Sequence, residues 1–111
     1  MRAREPFPSC VKCGALARPN ILMFGDGEWD AARADAQQEN LERWLHALAD
    51  APLLIVECGA GSAVPTVRHF SERLARRKDT LLVRLNPREP EVPQGHIGLA
   101  LGALEGLRAL E

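Results

Sequence analysis

Residues 53–70, LLIVECGAGSAVPTVRHF, decide how the rest of the chain is read. Leu53–Val56 is a short apolar run with β-branched members and no alternation, the pattern of a parallel strand covered on both faces. Cys58-Gly59-Ala60-Gly61-Ser62 then gathers small residues where backbone must pass close to something. Pro65 suits the first turn of a following helix, because its missing N–H would have no partner there. A strand feeding a glycine turn into a helix start is where nucleotide phosphates bind, since free amides and the positive end of the helix dipole converge on an anion. A tight βα turn that binds nothing fits the same residues, so the ligand has to be argued from elsewhere in the chain.

Working outward, strand and helix patterns alternate. Ile21–Phe24 predicts a first strand, stopped by Gly25-Asp26-Gly27. Asp30 is the expected N-cap of a helix over 31–49, whose Leu41, Trp44, Leu45 and Leu48 form one apolar stripe facing a sheet. The helix after the glycine turn is expected over 63–77, burying Val67, Phe70 and Leu74. Arg73, Arg76, Arg77 and Lys78 crowd its end, where cations suit the negative helix terminus. Leu81–Leu85 predicts a third strand, Asn86–Pro90 a loop, and Leu101, Leu104, Leu107 and Leu110 a final helix over 97–110. Gly98, Gly102 and Gly106 recur every fourth residue there, which close packing on the sheet explains. The order β-α-β-α-β-α implies an α/β fold: a partial doubly wound, Rossmann-like parallel sheet of about three strands with flanking helices.

Composition narrows the classes. A length of 111 residues allows at most one small domain, and a net charge of −1 gives no electrostatic case for nucleic acid or an acidic membrane. No apolar run approaches a bilayer span, and the charged start Met1–Pro6 lacks the apolar core of a signal peptide. Three cysteines, two of them spaced C-x-x-C, fit a reducing cytoplasm and a metal or redox role rather than a disulfide scaffold.

Cys10 and Cys13 stand in Pro-Ser-Cys-Val-Lys-Cys-Gly, a knuckle that can aim both sulfurs at one tetrahedral zinc. A structural zinc needs four ligands and no second knuckle follows, so the chain offers half a zinc ribbon. A redox pair would want a strand before the motif and a helix at it; prolines precede it and Gly14 follows. Cys58 reads as a small turn cysteine or as a thiol activated at a helix start. His46, His69 and His96 show no partner for acid–base work. Asp26 and Glu28 read as solvated loop charges.

At this point the residues line up with a family. Cys10-x-x-Cys13-Gly14 followed by Ala17-Arg18-Pro19-Asn20-Ile21-Leu22-Met23-Phe24-Gly25-Asp26 resembles the second zinc knuckle and the "LRP-(D/N)-hydrophobic-FGE" segment of sirtuins, the NAD-dependent protein lysine deacylases. Cys58–Pro65 takes the place of their "GTSLxVxP" loop, Leu82–Asn86 is similar to their strand ending "V-x-I-N", and Gly102–Leu107 to their final "GDAxExL" segment. Glycine and alanine at 59 and 60 replace that loop's threonine and serine, Asp26 stands where glutamate is usual, and Arg88 where an acid often follows the asparagine.

The resemblance implies that residues 1–19 are the remnant of a zinc-binding module and 20–111 the C-terminal half of a Rossmann-like NAD-binding domain. It implies NAD and zinc as cofactors, with Cys10 and Cys13 as metal ligands. Cys58, Gly59, Ala60, Gly61 and Ser62 would approach the NAD ribose and phosphates, Asn86 the adenosine ribose, and Leu101 and Gly102 the adenine. Phe24 and Gly25 would border the slot where an acyl-lysine protein or peptide adds as a strand. The family's "GAGxS" phosphate loop, its catalytic histidine after a "QN-(I/V)-D" strand, and its first C-x-x-C pair are not in this sequence. The expectation is a C-terminal sirtuin part, inactive alone, with homodimerisation through an exposed sheet edge or a shared zinc as an option. Two other classes fit some of the residues: an S-adenosylmethionine methyltransferase fragment, from Val56–Ser62, and a non-catalytic partner-binding half-domain.

Overall fold

The computed structural model describes residues 4–19, 21–48 and 51–110. Its contacts divide the chain into two compact units, Met1–Glu42 and Arg43–Glu111. The second unit holds β1 (Leu53–Cys58), α2 (Thr66–Ala75), β2 (Thr80–Leu85), β3 (Ile97–Leu99) and α3 (Ala103–Ala109); α1 (Ala32–Ala47) precedes them. The three strands form one parallel sheet in the order β1-β2-β3. This is compatible with part of a Rossmann-like sheet.

β1 and β2 form where the apolar runs predict them, each slightly longer than expected, so Cys58 ends the strand instead of opening the turn. In register, Glu57 lies opposite Arg84 and Arg84 opposite Gly98. The central strand carries the core: Leu82, Val83, Leu85 and Arg84 are buried along it.

Three expectations need correcting. Ile21–Phe24 is not a strand. Its polar groups are satisfied locally, with Arg18 donating to the Ile21 carbonyl at 2.8 Å and the Met23 carbonyl accepting from the Asp26 N–H at 3.3 Å. Gly25, at φ +72°, turns the chain away, and Phe24 stands fully exposed. The third strand is Ile97–Leu99, inside the segment expected to be helix. Three residues are too few to show a period, and they become a strand because β2 offers them an open edge. Lastly, α2 turns Ser71 and Ala75 inward and leaves Val67 exposed, since small residues let the helix lie closer to the sheet.

Other expectations hold in part. Asp30 Oδ1 accepts the Ala32 N–H at 3.0 Å, so it caps the first helical amide from one residue before the N-cap position, which Ala31 holds. None of α1's side chains is buried, however: Leu41 and Leu45 are half-covered and Trp44 is exposed, while Leu48, expected in the same stripe, lies just past the helix end. The recurring glycines have three different roles. Gly106 is buried, and a Cβ there would come within 2.8 Å of Leu85. Gly98 lies beneath the Pro90 carbonyl, while Gly102 meets nothing and starts α3.

Candidate nucleotide site at the carboxyl ends of the strands

Three segments leave the carboxyl ends of the parallel strands, the end at which open α/β sheets bind their ligands. They are the glycine turn after β1, the 86–91 loop after β2, and residues 100–102 after β3. Gly59, at φ +72°, turns the backbone, and its N–H donates to the Leu85 carbonyl at 2.9 Å, tying the turn to β2. The Asn86 N–H donates to the Leu99 carbonyl at 3.1 Å, tying the second loop to β3.

Asn86 is buried and organises this end. Its Oδ1 accepts the N–H groups of Arg88 and Glu89, both at 3.0 Å, and its Nδ2 donates to the Ala60 carbonyl at 3.1 Å. Nδ2 carries a second amide hydrogen beyond the one given to Ala60. Arg68 of α2 straps the same two loops, donating to the carbonyls of Ala60 at 3.4 Å, Glu89 at 3.1 Å and Glu91 at 2.8 Å. Across the opening, Glu89 accepts the Ser62 N–H at 3.0 Å and also the Ser62 hydroxyl.

Beneath the loops sits a charge cluster. Arg84, wholly buried, donates to both carboxylate oxygens of Glu57, to Glu72 Oε1 at 3.1 Å, and to the Glu91 carbonyl. Burial works against its charge, yet the bonds and charges of Glu57 and Glu72 hold its pKa above the ordinary arginine value. Gly98 makes room for this arrangement: an added Cβ would stand 2.0 Å from the Pro90 oxygen.

The Glu89 carboxyl is held below its ordinary pKa, first by the Ser62 hydroxyl and then by the Ser62 N–H, with Arg68 and Arg88 adding attraction. A depressed folded-state value contributes stability above the unfolded value, 4.5, and loses it as pH falls through the folded value. Acidification below about pH 4.5 is therefore expected to release Ser62 from Glu89. The Ser62 amide shift followed by NMR should move in that window; an unchanged shift down to the acid unfolding transition would contradict it.

Of the residues singled out in the sequence, Asn86 bonds Ala60 directly, Gly59 is tied to Leu85 and Ser62 to Glu89, while Gly61 lies against the Glu89 carboxylate. Cys58 lies exposed at the end of β1, and Leu101 and Gly102 are half-buried just beyond β3. Glu89, Arg68 and the Arg84–Glu57–Glu72 cluster were not singled out. An arginine inside the apolar run LLVRL, with a glutamate at the matching place in LLIVEC, was the available signal.

In the first unit, Cys10 and Cys13 are free thiols. The Cys10 pKa is lowered by hydrogen bonds from the backbones of Lys12 and Cys13 and from the Cys13 side chain. Two thiols fill half of a tetrahedral set, and no cluster of three or more metal-ligating side chains occurs among the described residues. Arg18 pairs with Asp26 at 2.7 Å, and Phe24 and Gly25 stand in the exposed turn that this pair closes. No described helix is long and apolar enough to cross a membrane.

The fold is thus a small α/β unit with a parallel sheet whose carboxyl-end loops are bonded to one another. Comparison with known proteins narrows this. Over 113 aligned residues the chain is 31% identical to the NAD-dependent protein deacylase of Thermus thermophilus, in each of two strains, covering 97% of this chain and 39% of that protein. It is 29% identical over 94 residues to the NAD-dependent protein deacylase of Corynebacterium glutamicum, covering 81% of this chain and 31% of that protein. The chain therefore spans about two fifths of the length of the Thermus relatives. No protein-family model and no solved structure matches it.

Proposed function

We propose that this chain is the adenosine-side part of a sirtuin-type NAD-dependent protein deacylase. The observation that carries the reading is the meeting of the glycine turn, Asn86 and the 99–102 segment at the carboxyl ends of three parallel strands. Similarity to NAD-dependent deacylases along nearly the whole chain supports it.

In this reading the backbone of Gly59–Ser62 faces the cofactor's ribose and phosphates. Asn86 offers its remaining amide hydrogen to an adenosine ribose oxygen, and Leu101–Gly102 lie against adenine. When bound, NAD supplies the nicotinamide-ribose carbon that the acyl oxygen of the lysine substrate attacks. Phe24 and Gly25 border the acyl-lysine peptide, and Cys10 and Cys13 contribute two of four zinc ligands. The general base is not assigned to His46, His69 or His96.

The test uses two proteins. The 111-residue chain alone should bind NAD at roughly millimolar Kd or weaker, because the opposing phosphate loop is missing and each tenfold in affinity is about 1.4 kcal/mol. Placed in the Thermus thermophilus deacylase in exchange for the matched two fifths, it should bind NAD in the roughly micromolar range and deacylate an acetyl-lysine peptide. Asn86→Ala in that chimera should weaken NAD about tenfold, a loss of about 1.4 kcal/mol. A folded chimera that binds no NAD, or one indifferent to Asn86→Ala, would overturn the assignment.

A further inference from the structure

The glycine turn has a feature that its sequence does not announce: its donors are already in use. Ser62 presents two hydrogens to the opening, its N–H and its hydroxyl, and Glu89 takes both with one carboxylate. Paired donors of this kind are what a phosphate oxygen uses at such a turn. Gly61 completes the seat, since a Cβ there would lie 3.0 Å from Glu89 Oε2.

We propose that Glu89 is a built-in anionic latch that occupies the Ser62 donors and must swing aside before a phosphate-bearing ligand can use them. This deepens the NAD reading and depends on it for the ligand's identity.

The two loops are stitched at two places of different character. On the inner side Asn86 and Arg68 tie the loops through main-chain groups, Arg68 also pairing with Glu72 and Glu91, and both side chains are largely buried. At the opening, Ser62 is exposed and the contact rests on one flexible side chain. Rotating Glu89 therefore frees the Ser62 donors without disturbing the inner stitch. A phosphate arriving while Glu89 is in place meets a like charge at hydrogen-bond range, which disfavours it. Once the carboxylate leaves, Arg68 and Arg88, whose charges now act on Glu89, are left to attract the incoming anion. The latch thus opposes anions and not nucleosides.

Inorganic pyrophosphate and adenosine, titrated separately into the 111-residue chain with the Ser62 and Asn86 amides followed by NMR, test this. Glu89→Gln should tighten pyrophosphate at least fivefold and leave adenosine unchanged. Adding Ser62→Ala to it should remove the gain. Glu89→Ala repeats the measurement in case the glutamine side chain holds Ser62 in its turn. Pyrophosphate binding that is equal or weaker in both Glu89 variants, or undetectable in every protein, overturns the latch. A pyrophosphate gain keeps the latch whether or not adenosine binds this chain, the NAD reading being decided by the chimera; adenosine binding without the gain defeats the latch alone.

Discussion

Arg84→Ala is expected to destabilise the sheet unit by roughly 3–5 kcal/mol, the usual result of removing one member of a buried ion pair. The guanidinium is wholly buried and Glu57 nearly so, so the substitution strands a carboxylate in the interior. It also frees Glu72 and the Glu91 carbonyl from Arg84. A small domain has only about 5–15 kcal/mol of stability, so much of the variant should be unfolded at moderate urea. Urea denaturation followed by circular dichroism reads the effect. Replacing the pair together, Arg84→Met with Glu57→Leu, should recover most of the loss, because an apolar pair leaves no uncompensated charge. A single variant within about 0.5 kcal/mol of the parent, the range of ordinary surface substitutions, would show that the cluster contributes little.

Gly98→Ala should be nearly as damaging and should act on the site directly. Its Cβ would lie 2.0 Å from the Pro90 oxygen and 3.0 Å from the Pro90 carbon, and backbone cannot step aside as a flexible side chain can. Overpacking of this kind costs about 1–3 kcal/mol, occasionally more, and a main-chain obstacle puts this case at the upper end. Lifting Pro90 also draws the Glu91 carbonyl from Arg84 and Arg68, and shifts Glu89 relative to Ser62. Faster hydrogen exchange at the Glu89 and Ser62 amides should accompany the lost stability. Gly102→Ala is the control: nothing lies within 4 Å of a Cβ there, so the change should stay within about 0.5 kcal/mol. Equal effects at the two glycines would contradict the packing described for β3.

Much of the frame was legible because its signals are local. The unbroken apolar runs at Leu53–Val56 and Leu81–Leu85, the Asp30 cap and the glycine turn each act within a few residues, and each formed close to where the sequence put it. The errors fall where the outcome depends on a distant neighbour. Ile21–Phe24 is as apolar as β1 yet remains a turn, while Ile97–Leu99, with a glycine at its centre, becomes a strand. A strand exists only when another backbone offers a ladder, and β2 offers one to residues 97–99.

The candidate site divides the same way. The residues themselves picked out the glycine turn, because a strand that ends in small residues aims them at the sheet's carboxyl edge, whereas Asn86 was marked only by the resemblance to sirtuins. Glu89 was invisible at 27 positions from Ser62, and the charges of Glu57 and Arg84, though visible inside their apolar runs, became a pair only through the register of β1 and β2. By itself, then, the sequence determined the α/β class, two of the three strands and the glycine turn between β1 and α2. Only the tertiary structure decided which edge β3 completes, which glutamate closes the turn, and that the arginine in the central strand is an interior charge. Periodicity and turn chemistry are written in neighbouring residues, whereas partners across a sheet are fixed by register, which folding alone establishes.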